Sequence, residues 1–143
     1  MAQAEHQDTL DCSPEKLFAV ITRYEDYPQF VDSVTSVSVE RKERGKARAT
    51  YQISVMGQNM SYTLDHEEDE AAGRVSWTLV ESNFFKKNVG SWKFRPAVGT
   101  KTAVTYSLEV EFKISVPSFI LNRLVKGSLP SMVKSFEKRA KKS

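Results

Sequence analysis

Between Thr100 and Val125 the side-chain period of this chain changes from 2 to about 3.6, and Pro117 stands at the junction. From Ala103 to Ile114 the residues alternate strictly. Val104, Tyr106, Leu108, Val110, Phe112 and Ile114 fall on one face, and Thr105, Ser107, Glu109, Glu111 and Lys113 on the other. Such a strand belongs to an antiparallel sheet with one wet face. The segment after Pro117 carries an apolar stripe at Leu121, Leu124, Val125, Ser128, Met132 and Phe136, with Ile120 and Leu129 beside it, so a helix is expected to lie over the sheet. Gly127 and Pro130 interrupt that stripe. An interior proline removes one backbone hydrogen bond, so the helix is expected to kink or split near Pro130, which makes Pro117 to Lys126 a candidate lid. Whether the apolar face meets a filled core or an open cavity decides what the protein can do.

The rest of the chain supplies the sheet. Ala4 to Asp11 reads as a first strand, and Ser13-Pro14 supplies an N-cap and a first helical position for a helix with Leu17, Phe18, Val20 and Ile21 on its apolar face. Tyr27-Pro28 ends that helix, because the residue before a proline avoids helical geometry; a short helical turn around Pro28 to Val31 is expected next. Strands then follow one another with turns between them. They are expected near Thr35–Glu43, Ala47–Met56, Met60–His66, Val75–Leu79 and Phe85–Arg95, with Glu67 to Gly73 as an exposed acidic loop. The expected architecture is α+β: about seven antiparallel strands, one or two short helices between the first two, and a long C-terminal helix. All 143 residues are expected to form one domain.

A hydrophobic content of 40% and a charged content of 27% suit a globular protein, and no apolar run approaches the roughly 20 residues of a membrane-spanning helix. The polar, acidic start is not expected to be a signal peptide. Cys12 is the single cysteine, which excludes an internal disulfide, fits a reducing, cytoplasmic compartment, and reads as a small buried hydrophobe. Charge is unevenly spread. From Pro117 onward seven basic residues face one acidic residue, a balance of +6, so the remainder carries −3 of the total +3. Lys134, Lys138, Arg139, Lys141 and Lys142 therefore form a candidate contact for an anionic membrane or ribosomal RNA, or simply solvate the helix and favour its C-terminal dipole end. DNA is not an expected partner.

SPEKLFAVITRYEDYPQFV, GSWKF, TAVTYSLEVEF and VPSFILN, taken in that order, resemble the corresponding segments of the START-like, or SRPBCC, superfamily. This superfamily includes polyketide cyclases, aromatases, lipid-binding START domains, and coenzyme Q-binding and ribosome-association proteins. The resemblance runs over essentially the whole chain. It implies a helix-grip fold, with the curved sheet wrapped around the final helix and a hydrophobic cavity between them. No motif in it is a catalytic signature, so it speaks for fold more than for function.

Chemistry is sparse in the sequence. His6 and His66 are the only histidines, and neither sits at a metal-ligand spacing. No nucleophile elbow, phosphate loop or dinucleotide fingerprint is present, and neither metal nor cofactor is expected. Tyr51, Tyr62, His66, Trp77, Trp92 and Tyr106 fall on the apolar phase of their strands, with Ile53, Leu64 and Leu108 between them. Buried hydroxyl and indole groups need partners, so this set suits a mostly hydrophobic ligand with one or two polar groups as well as it suits a filled core. With the cavity the resemblance implies, the expected function is binding or transport of a lipid, isoprenoid or polyketide-like molecule, with Phe119, Ile120 and Leu124 closing over it. The alternative is a cyclase-type enzyme in which His66 is a general acid or base beside a tyrosine. No inward arginine is evident, since Arg48 and Arg74 fall on the polar phase.

Overall fold

The computed structural model describes residues 2–55, 57–115, 117 and 129–142. Each alternating segment becomes a strand: β1 (Ala2–Leu10), β2 (Val34–Arg41), β3 (Lys46–Val55), β4 (Gln58–Asp69), β5 (Arg74–Ser82), β6 (Phe85–Pro96) and β7 (Thr102–Phe112). They pair antiparallel in the order β1-β7-β6-β5-β4-β3-β2, so the first strand closes onto the last and every other neighbour is a hairpin. Helix α1 (Pro14–Thr22) and a 3₁₀ segment, Tyr24–Gln29, connect β1 to β2, and α2 (Leu129–Lys141) lies against the concave face. Ser13 caps α1, its Oγ accepting from the Lys16 N–H, and Pro14 occupies the first turn, where no N–H partner is lost. Among the described residues no helix is long and apolar enough to cross a membrane.

The two phases of each strand separate cleanly. On the convex side cross-strand polar pairs cover the sheet: Arg48 grips Asp65 with two hydrogen bonds of 2.7 and 3.0 Å, Thr50 meets Thr63, and Lys87 pairs with Glu109. On the concave side Leu10, Leu17, Ile21 and Tyr24 pack with Val133 and Phe136 of α2. Gly90 is fixed by that packing. A Cβ there would stand 2.4 Å from Cζ2 of Trp77 and 2.5 Å from the Ser107 carbonyl oxygen, so only glycine lets the indole lie across β6. Cys12 is buried, and burial pushes its thiol up to about 11, away from the range of a nucleophile.

Several sequence expectations need correction. The expected acidic loop shrinks to the turn at Glu70–Gly73: Glu67, Glu68 and Asp69 continue β4 opposite Ser76, Val75 and Arg74, and alternation turns Glu68 inward. One arginine stands on the concave phase at the edge of the sheet, half exposed and outside the cavity lining. Arg41 pairs across β2 and β3 with Ala47, so it shares the concave phase with Ala49 and Tyr51, and its long side chain reaches Glu68. The last strand stops at Phe112, leaving Ile114 exposed, and the helical turn after α1 comes earlier than expected, at Tyr24 rather than Pro28. Pro130 is the second described residue of α2; the expected Pro117–Lys126 segment of that helix lies, apart from Pro117, outside the described residues, and the expected kink with it.

The basic C-terminal residues are also largely engaged. Lys134 lies 3.4 Å from both Asp8 and Glu137, and Lys141 lies 3.3 Å from Asp11. Arg139 donates to Gln29 at 2.6 Å and sits over the Phe30 ring. These contacts tie α2 to β1 and to the 3₁₀ segment, while Lys138 and Lys142 face solvent.

Candidate ligand cavity

Between the concave face and α2 lies a cavity of about 370 Å³, within the range of small-molecule sites. Its wall is built by strand alternation. Tyr51 and Ile53 come from β3, Tyr62, Leu64 and His66 from β4, Trp77 from β5, Trp92 from β6, and Tyr106 and Leu108 from β7. The cavity thus collects these nine sequence-selected residues; Phe119, Ile120 and Leu124 lie outside the described residues. Helix α2 contributes Met132 and Phe136, and the Phe136 ring packs against Trp92, Tyr27 and Phe30 at centroid distances of 4.8, 5.2 and 5.1 Å. Among the described residues, none that lines the cavity is Lys, Arg, Asp or Glu.

At the α1 end most of the polar groups pair with one another. The hydroxyl of Tyr51 lies 2.8 Å from Nε2 of His66, and the imidazole stacks on Tyr24 with centroids 4.1 Å apart. Tyr24 donates its hydroxyl proton to Glu68 at 2.6 Å. Arg41 donates to the same carboxylate at 3.0 Å and to the Thr22 carbonyl, and its guanidinium sits over the Tyr24 ring. Burial holds His66 down to about 3, so the ring is neutral at neutral pH. Burial, together with the hydrogen bond to Glu68, pushes the Tyr24 phenol far above its ordinary range.

The middle of the cavity is different. Asn88 is buried, and its Oδ1 accepts from the indole N–H of Trp77 at 3.0 Å. Among the described residues nothing accepts from the hydroxyl of Tyr62 or Tyr106, although burial keeps both phenols protonated. Asn88 escaped the sequence reading, yet a signal existed: it continues the phase of Gly90, Trp92 and Phe94 two residues toward the start of β6. Tyr24 and Tyr27 were also missed, because a Tyr-Glu-Asp-Tyr-Pro run reads first as a helix exit. Burial turns both rings inward.

A curved seven-stranded antiparallel sheet gripping a C-terminal helix, with short helices between its first two strands, defines a START-like, helix-grip protein. The chain belongs to the polyketide cyclase / dehydrase and lipid transport family, whose model matches residues 10–137. It is similar to the ribosome association toxin RatA of Escherichia coli (strain K12), with 25% identity over 141 residues that cover 99% of this chain and 88% of that protein. Among solved structures it is similar to a START superfamily protein from Mycobacterium smegmatis, at 17% identity and a TM-score of 0.83, covering 98% of this chain and 97% of that one. It is also similar to the Zhui aromatase/cyclase from Streptomyces sp. R1128, at 14% identity and a TM-score of 0.78, covering 99% and 94%. At those identities the structural likenesses speak for the fold alone.

Proposed function

We propose that this protein binds and carries an uncharged, largely apolar small molecule in the cavity between its sheet and its C-terminal helix. The observation that carries the reading is the cavity wall: about 370 Å³ lined by aliphatic and aromatic side chains, a few neutral polar tips and no charged side chain among the described residues. Burying a fatty-acid carboxylate or a phosphate there would cost several kcal/mol, since none of the described residues that line it is a cation that could offset the charge. The family's description, which includes lipid transport, supports the same reading. Native mass spectrometry of protein taken from cells, followed by organic extraction, is expected to show a neutral adduct that extraction removes. Protein that is bare from every source and that takes up no apolar molecule in vitro would end the proposal.

Catalysis ranks below carriage because of His66. A histidine held down to about 3 is a weak base at neutral pH, and its Nε2 is already engaged by Tyr51. Should a turnover assay be found, activity retained in His66→Ala would remove the residue from any mechanism. The relative named for ribosome association favours a second surface role, and the exposed Lys138 of α2 and Lys142 just beyond it are cations available to an RNA or anionic-lipid partner. Replacing both by Ser is expected to weaken ribosome or anionic-liposome co-sedimentation and flatten its salt dependence; no change would reduce them to solvated helix residues.

A further inference from the structure

Two of the polar groups that reach the cavity are held by neighbouring side chains of the same wall, and those neighbours decide whether they give or accept hydrogen bonds. Asn88 is the clearest case. An indole N–H can only donate, so the Asn88 atom 3.0 Å from Trp77 Nε1 is the carbonyl oxygen, which leaves the amide NH₂ as the free end. Asn88 lines the cavity, and no other partner takes its amide among the described residues. The indole itself lies close over Gly90, where a Cβ would stand 2.4 Å from its Cζ2.

Tyr51 follows by a similar argument. His66 has two ring nitrogens: Nε2 faces the Tyr51 hydroxyl, and Nδ1 is buried with no partner among the described residues. A neutral imidazole carries one proton, and burying a bare N–H costs more than burying a bare ring lone pair. The proton therefore sits on Nε2 and is donated to the Tyr51 oxygen, which frees the Tyr51 O–H. The unpartnered phenols of Tyr62 and Tyr106 stand in the same wall.

We infer that the cavity is polarised toward donation: Trp77 and His66, beside them in the wall, hold Asn88 and Tyr51 with N–H and O–H turned to the cavity, so that its occupant is an uncharged molecule bearing carbonyl-type acceptor oxygens. This rests on the proposal that the cavity binds an apolar molecule and adds which chemistry it selects. Asn88 and Tyr51 are the specificity-determining groups, and Trp77 and His66 are positioning residues. A hydrocarbon of the same shape leaves the donors unpaired, whereas a ketone pairs them.

The test uses three molecules on one ring frame, 9-fluorenone, fluorene and 9-fluorenecarboxylate, each displacing the neutral fluorophore N-phenyl-1-naphthylamine from the full-length protein. Fluorenone is expected to bind about tenfold more tightly than fluorene, and the carboxylate more weakly than either. In Asn88→Leu and in Tyr51→Phe the ketone-to-hydrocarbon ratio is expected to fall toward one. In Trp77→Phe, which frees the Asn88 amide to turn, it is expected to fall part of the way. A ratio does not move when a substitution merely loosens the cavity for both ligands. Circular dichroism melts check that each variant is folded, and either Asn88→Leu or Tyr51→Phe suffices if the other is not. Equal affinity for fluorenone and fluorene in the native chain, or an unchanged ratio in the folded variants, overturns the donor assignment and leaves the carrier proposal standing. Failure of the fluorophore and of all three molecules to bind overturns the carrier proposal itself.

Discussion

At the α1 end of the cavity Tyr24, Glu68 and Arg41 satisfy one another, whereas Tyr62, Tyr106 and the Asn88 amide, just along the same wall, have polar atoms with no acceptor among the described residues. The buried, unpartnered side-chain atoms among the described residues are His6 Nε2 and His66 Nδ1, whereas these hydroxyls and this amide belong to residues that line the cavity, so the open set calls for an explanation other than packing. The first set needs none beyond the fold: it closes the end of the sheet against α1. The second gains its partners when a molecule occupies the cavity. The difference separates groups that hold the protein together from groups that hold something else.

Removing Glu68 is the harshest way to break this contrast. In Glu68→Ala the fully buried Tyr24 hydroxyl loses its acceptor and Arg41 its counter-charge, so denaturant unfolding is expected to show a loss of about 3 kcal/mol. A loss below about 0.5 kcal/mol would mean that the end of the sheet does not depend on the network.

Acid provides the next test. His66 takes its proton near 6.5 in the unfolded chain but only near 3 in the folded one, so the unfolded chain binds more protons between those values. Stability is present above pH 6.5 and is lost as pH falls through that window, by up to about 1.4 kcal/mol per pH unit from this group. Between pH 7 and 5, before most carboxylates titrate, urea unfolding of the native chain is expected to weaken while His66→Gln stays flatter. Equal slopes would show that His66 is not held neutral.

Smaller effects sharpen the contrast between phenols. Tyr24→Phe deletes a hydroxyl bonded to a carboxylate and is expected to cost about 1 to 2 kcal/mol. Tyr62→Phe and Tyr106→Phe, measured without ligand, are expected to stay within about 0.5 kcal/mol, because no bond is lost. A Tyr106→Phe cost matching that of Tyr24→Phe would place a protein partner on that hydroxyl.

The sequence made the wall legible and the ends of it less so. Period-2 alternation found the wall residues from Tyr51 to Leu108, because a strand with one wet face has only two phases to choose between. It failed where composition outweighed phase. Four acidic residues in a row read as a solvated loop, yet hairpin pairing carried the strand through the first three and turned Glu68 toward Arg41 and Tyr24. The +6 of the C-terminal segment, for its part, does not show where each charge goes: Asp8, Asp11 and Glu137 lie close enough in space to pair with Lys134 and Lys141, which both stay exposed. Pairings of that kind depend on how β1 meets α2, which no local pattern encodes. The orientation of the Asn88 amide was out of reach for the same reason, since it follows from an indole eleven residues away in the chain.

The claim that the open phenols serve a ligand meets its most direct test in the melting temperature of Tyr106→Phe, recorded with and without saturating 9-fluorenone. Without ligand the variant is expected to melt within about 2 °C of the native chain, and with ligand to gain less stabilisation than the native chain gains. A variant that melts several degrees lower without ligand, yet gains as much from fluorenone as the native chain, would contradict the account and assign the hydroxyl to the fold.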